Sequence, residues 1–188
     1  MAVILRAAER SAVPWKNGGG LTREVAVHPP GSDLGNFDWR VSLAEVHRRG
    51  PFSSFPGVDR HLAVLEGQLE LTVAGRDRLT LSPGTPPLTF PGDVPAFAEP
   101  RQPPVADLNV MTRRSRFGAR MLRCSVHAAG TVRMEAETTL ILALTQLTVG
   151  GAPLAALDAA QFNASTESLT VQAADHEAAY WLIEFRVV

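Results

Sequence analysis

Apolar and polar residues in this chain alternate with a period of two, in short runs closed by Gly, Pro, Asp and Ser, and seldom at the three-to-four spacing of an amphipathic helix. A period of two puts successive side chains on opposite faces of a pleated strand, so the pattern predicts a mostly β fold. Strands are expected over residues 21–27, 37–46, 61–73, 78–81, 108–112, 120–125, 130–135, 138–149, 168–173 and 180–187. Ala74-Gly75-Arg76-Asp77 and Gly150-Gly151 read as hairpin connections. Residues 83–104 hold eight prolines, which lack the N–H that a central strand donates, so a loop-rich crossing with short edge strands is expected there.

Composition narrows what such a fold can do. The 18 basic and 19 acidic residues leave a net charge of -1, which argues against nucleic acid as a partner, because neutralising phosphates takes a surplus of Lys and Arg. All the basic residues but Lys16 are Arg, whose planar forks suit carboxylates. The lone Cys124 excludes an internal disulfide and any multi-cysteine metal site. No apolar run reaches the ~18 residues of a membrane-spanning helix, and residues 1–10 carry no secretory apolar stretch. A cytoplasmic protein without a membrane partner is expected.

The two halves echo each other. Residues 61–81 read HLAVLEGQLELTVAGRDRLTL and residues 139–157 read TLILALTQLTVGGAPLAAL, each a long apolar strand, a Gly turn and a Leu-bearing return. Two related β units are one reading, and a chance likeness between hairpins is the other.

The stretch VLEGQLELTVAGRDRLTLSPG and the later Phe90-Pro91-Gly92-Asp93 resemble the conserved blocks of the cupin superfamily. In metal-binding cupins two His and a Glu precede the Leu-Glu-Gly turn and a third His follows the Pro-Gly. Here those positions fall near Ser54, Pro56, Asp59 or Arg60, and Pro95, so the usual metal site is absent and no cofactor is expected. Four further blocks, in order, are similar to the HutD/Ves family: Pro14-Trp15-Lys16-Asn17-Gly18-Gly19-Gly20 with Thr22, Arg23 and Glu24; Phe37-Asp38-Trp39-Arg40-Val41-Ser42; Gly50-Pro51-Phe52-Ser53 running into Phe55-Pro56-Gly57-Val58-Asp59-Arg60; and Asp107-Leu108-Asn109-Val110-Met111-Thr112-Arg113-Arg114. The resemblance implies a bicupin, two cupin-like β-barrel or sandwich units in one chain. It also implies a bacterial protein tied to histidine utilisation, with a binding or regulatory role rather than catalysis. The units are expected over 1–114, which carries the blocks, and 115–188, a degenerate copy sharing its core.

Strand alternation gives the blocks a physical meaning. Arg40 and Ser42 share one strand face, as do Asp107, Asn109, Met111 and Arg113 on another, and these faces either meet solvent or line a small barrel. Arg40, Arg60 and Arg113 are the anion-binding candidates, the alternative being ordinary salt bridges to Asp38, Asp59 and Asp107. Asn17 at the glycine turn, Thr22 and His61 complete the candidate set of Asn17, Thr22, Arg40, Ser42, Arg60, His61, Asn109, Met111 and Arg113. The Gly18-Gly19-Gly20 run lacks the Gly-Lys-Ser/Thr of a phosphate loop. His28, His47, His61, His127 and His176 show no metal-ligand spacing, and no catalytic residue is assigned.

The leading expectation is a metal-free bicupin that binds a small carboxylate metabolite, of the urocanate, formiminoglutamate or formylglutamate class, as a sensor of histidine utilisation. The rivals are a metal-independent enzyme using Glu24 or Glu45 as base and a stress-response interaction protein. A homodimer is left open.

Overall fold

The computed structural model describes residues 2–163 and 168–188. Among them there is no α-helix, only a 3-10 turn at Ala7–Glu9. The strands are β1 (Ala2–Leu5), β2 (Ala12–Pro14), β3 (Gly20–His28), β4 (Trp39–Val46), β5 (Gly50–Pro51), β6 (Val58–Val73), β7 (Leu79–Leu81), β8 (Leu88–Pro91), β9 (Ala96–Arg113), β10 (Phe117–Arg133), β11 (Thr138–Ala143), β12 (Leu147–Val149), β13 (Ala152–Leu154), β14 (Ala159–Phe162) and β15 (Ser168–Val187). The mostly β expectation holds. No helix among the described residues is long and apolar enough to cross a membrane.

The chain divides into two compact units: Ser11–Phe117, and the residues up to Arg10 together with Gly118–Val188. In the first unit the sheet order is β2-β3-β4-β9-β6-β7, with β5 added to β9 and β8 to β6. Its interior is a cluster of Val46, Leu62, Val64, Leu69, Leu71, Val73, Leu81, Phe90, Ala96, Ala98 and Val105. Each such Val, Leu or Phe side chain taken out of water contributes roughly 1.5–3 kcal/mol. The second unit runs β1-β14-β11-β15-β12-β13 with β10 on β15, around its own cluster that includes Met134, Ile141, Leu154, Val171 and Leu182. The initial residues join it because β1 pairs with β14, from Ala2↔Phe162 to Leu5↔Ala159.

The proline-rich stretch departs from expectation. Rather than a loop-rich crossing, its second part is the first half of the 18-residue β9, paired with β6. Pro103 and Pro104 fall where the β6–β9 register slips, between Glu66 and Gln68, so the missing N–H donors lie at bulges rather than in the ladder. Gly67 sits in this slip at φ +74, and a Cβ there would stand 2.3 Å from the Gln102 and Pro104 carbonyl oxygens. Elsewhere the expected pairs 120–125 with 130–135, and 168–173 with 180–187, are each one continuous strand, β10 and β15. Conversely 138–149 breaks into β11 and β12, where the Leu144 N–H donates to the Ala179 carbonyl at 2.8 Å and the Thr145 hydroxyl accepts from the Ala179 N–H at 3.0 Å. Both expected hairpins are present, as β6–β7 and β12–β13.

Candidate functional site

The register of five strands in the Ser11–Phe117 unit, β3, β4, β9, β6 and β8, stacks the family blocks into rows. Arg40 on β4 lies opposite Met111 on β9, which lies opposite Arg60 on β6, which lies opposite Phe90 on β8. The next row on the same face reads Glu24, Ser42, Asn109, Leu62, and the one after it Thr22, Ala44, Asp107, Val64. Leu62, Val64 and Phe90 belong to the interior cluster, so Arg60, Ser42, Asn109 and Asp107 point into the unit's core, whereas Glu24 at the β3 end of its row is exposed.

Arg60 is 5% exposed and its Nε has no hydrogen-bond partner. It lies instead against aromatic faces, 4.5 Å from the Phe52 ring centroid, 5.5 Å from Phe90 and 5.9 Å from Phe55. Ring quadrupoles attract a cation but leave its N–H groups unspent. Burial pulls the Arg60 guanidinium down to about 10; Asp107 works against that fall and Arg40 adds to it. Asp107 is 2% exposed, and burial pushes its carboxyl up to about 7, with Arg60 opposing the rise. No salt bridge joins the two. Between their rows sits Asn109, buried, with its Oδ1 lacking a donor. Arg40 Nε donates to Glu24 Oε2 at 2.8 Å, and its NH1 to the Ser42 hydroxyl at 3.3 Å.

The predicted residues therefore separate into two sets. Arg40, Ser42, Arg60, Asn109 and Met111 converge on one face, and Thr22 joins it while accepting the Trp15 indole N–H at 2.8 Å. His61 is on the opposite face of β6, with Nδ1 2.9 Å from the Thr89 hydroxyl and Nε2 buried without a partner. Burial lowers its pKa below the ordinary histidine value, with Asp59 opposing. Asn17 shapes its own turn by accepting the Gly19 N–H at 2.9 Å. Arg113 donates to the Phe37 and Gly35 carbonyls at 3.2 and 3.1 Å, which fixes the loop ahead of β4. The Asp partners also differ from the simple pairing: Asp38 takes Arg116 at 2.9 Å and Asp59 takes Arg114 at 2.8 Å. Of the two carboxylates considered as bases, Glu24 is engaged by Arg40, while Glu45 is on the other face, held low by its hydrogen bond from Arg23.

Asp107 and the three rings around Arg60 are absent from the sequence-derived set. Asp107 alternates in phase with Asn109 and Met111, so its face was readable; its lack of a cationic partner was not. An open surface hollow of about 560 Å³, lined by His47, Arg48, Arg49, Glu99 and Pro100, does not include this interior.

The HutD family model matches residues 7–181. The chain belongs to the HutD family. It is 39% identical over 109 residues to the Ves protein of Citrobacter koseri, an overlap of 57% of this chain and 56% of that one. It is 34% identical over 119 residues to an uncharacterised 21.2 kDa protein in the hutC 3′ region of Pseudomonas putida, covering 63% and 62%. These matches thus span little more than half the length of those relatives. The solved structure of HutD from Pseudomonas fluorescens SBW25, in a formate condition, superposes over 100% of both chains at a TM-score of 0.86 and 30% identity. A cupin 2 conserved barrel protein of Leptotrichia buccalis, 14% identical, covers 92% of this chain at a TM-score of 0.61, which places the fold among the cupins.

Many cupins hold a metal in their barrel. Among the described residues no three His, Cys, Asp or Glu side chains are grouped to hold one. The interior of the Ser11–Phe117 unit offers a guanidinium, which repels a cation and donates where a metal needs lone pairs. These residues do not fit a metal.

Proposed function

We propose that this HutD-family protein binds a small carboxylate metabolite inside its Ser11–Phe117 unit and serves histidine utilisation as a sensor of that metabolite. The observation that carries the reading is the buried Arg60 guanidinium with an unpartnered Nε. Leaving a buried donor unsatisfied costs about 1–3 kcal/mol, and more for a charged group, so an arriving carboxylate recovers energy the apo protein forgoes. Arg40 stands one strand beyond Met111 with part of its fork engaged by Glu24 and Ser42, and supplies a second cation. Support for the pathway comes from the relative encoded beside hutC and from the HutD name of the full-length structural match.

The experiment is calorimetry with urocanate, formiminoglutamate and formylglutamate, followed by analysis of each mixture for chemical change. Saturable binding of one of them without turnover supports the sensor. Turnover favours the enzyme, and no binding by any of the three removes the reading.

A further inference from the structure

We propose that a carboxylate ligand enters this interior together with one proton, which is held on Asp107. The proposal rests on the carboxylate-site reading and adds to it a regulation by pH. The charged groups facing the interior are few. From β4 comes Arg40, paired at 2.8 Å with Glu24 of β3, whose own side chain is exposed at the edge of that interior. From β6 comes Arg60 and from β9 Asp107; Arg113 shares that face at the end of β9, with its donors spent on the Phe37 and Gly35 carbonyls. The neighbouring strand β8 contributes Leu88 and Phe90, and β7 contributes Leu81, none of them charged. His61 is on the other face of β6.

The charge balance follows. Without ligand and above about pH 7, Arg60 and Asp107 are a buried cation and a buried anion that compensate each other at a distance. An added carboxylate takes the Arg60 guanidinium and leaves Asp107 as a second anion in the same low-dielectric space. Two carboxylates sharing one site cannot both stay ionised cheaply, so the weaker acid takes a proton from bulk water. Asp107 is that acid, because desolvation already pushes it up to about 7 before any ligand arrives. The ligand remains an anion and Asp107 becomes a neutral carboxyl. A protonated Asp107 then carries an O–H donor on the face of β9 where the Asn109 Oδ1 is a buried acceptor without one. The proton thus answers two separate deficits, the surplus negative charge and the orphaned acceptor.

Formate is the probe, since it carries nothing that titrates above about pH 5. Its affinity is measured by NMR titration of the full chain at constant ionic strength from about pH 6 to about pH 8.5, and proton uptake is counted by pH-stat in unbuffered solution. The expected result is a dissociation constant that is flat near pH 6 and rises towards about tenfold per pH unit above about pH 7.5, with uptake approaching about one proton per formate bound. Asp107→Asn should bind formate with no pH dependence and no uptake. Binding by wild type with neither slope nor uptake overturns the proton coupling and leaves the carboxylate site standing. A slope that survives in Asp107→Asn also overturns it. Failure of formate to bind at any pH overturns the proton coupling, and the calorimetry with the three larger acids then decides the carboxylate site. Should Asp107→Asn not fold, the wild-type proton count decides alone.

Discussion

Arg60 and Asp107 point into the same interior from adjacent strands, both buried, without a salt bridge between them. A buried ion pair normally offsets its desolvation by close contact, and this one forgoes that contact. The strain is concentrated where the register also brings Arg40, Ser42 and Asn109. A core built for stability alone would have placed apolar groups in these rows, as it does at Val64 and Leu62.

Arg60→Lys tests the guanidinium directly. Lysine keeps the charge but loses the planar fork and the Nε donor. The carboxylate should bind more weakly by on the order of 1.5–3 kcal/mol, the scale of a charged hydrogen bond. Arg113→Lys should leave affinity unchanged and lower the melting temperature slightly, since Arg113 spends its donors on the Gly35 and Phe37 carbonyls. Equal affinities for wild type and Arg60→Lys in calorimetry would remove Arg60 from the site.

Stability of the ligand-free protein should fall as pH rises through neutrality. Asp107 is pushed up to about 7 in the fold, chiefly by burial, against an unfolded value near about 4. A group raised in the folded state binds more protons there than when unfolded, so its contribution is full below about pH 4 and is lost as pH climbs towards about 7. Denaturant midpoints at about pH 5.5 and about pH 8 should differ in wild type in that direction. In Asp107→Asn the difference should shrink, and an unchanged difference would mean that Asp107 is not the titrating group.

The sequence disclosed the strands and the face of each motif residue because period-two alternation is a local property, visible in Arg40 and Ser42 or in Asn109 and Met111. It placed His61 beside Arg60, although adjacent residues of one strand must diverge, and the register confirms that they do. Long-range pairing was beyond it. That Phe52, Phe55 and Phe90 meet over one guanidinium depends on β8 docking against β6, which no local pattern encodes. The prolines misled for a related reason: Pro103 and Pro104 lie inside β9 where β6 and β9 slip register, and no local pattern encodes that slip.

Metal content follows from the same charge. With a guanidinium in the interior and Ser54, Pro56 and Pro95 at the aligned ligand positions, purified protein should carry no stoichiometric transition metal. Its melting temperature should not change in excess chelator. Elemental analysis finding about one zinc, iron, manganese or nickel ion per chain would contradict the anion-site assignment.

Gly67→Ala should be severely destabilising. Its φ of +74 already disfavours an L side chain, and the new Cβ would stand 2.3 Å from two carbonyl oxygens at the slip between β6 and β9. Neither oxygen belongs to a side chain that could rotate away. A loss of several kcal/mol is expected, against about 1 kcal/mol for an unobstructed left-handed glycine. Gly75→Ala, in an open turn with nothing within 4 Å, is the control. Urea midpoints that drop equally in the two variants would show that the close approach at Gly67 is relieved at little cost.

Asp158 ties the start of the chain to the second unit, and its loss should detach that start. Its carboxylate accepts the Ala7 N–H at 2.7 Å, Arg6 NH1 at 2.8 Å and the Ala155 N–H at 3.1 Å. Burial alone would raise the group, but these three donors outweigh it and hold the carboxyl below its ordinary value. A depressed folded pKa stabilises above the unfolded value and is lost as pH falls through the folded one, so the contact should weaken below about pH 4. Asp158→Ala removes the acceptor at every pH and should cost about 2–4 kcal/mol, since charged hydrogen bonds contribute most when they satisfy backbone donors. Hydrogen exchange supplies the decisive readout. Amides of β1 and of its partner β14 should lose protection in Asp158→Ala, while those of β4 and β9 in the other unit keep theirs. Unchanged protection in β1 would mean that its ladder with β14 holds the initial residues without the carboxylate.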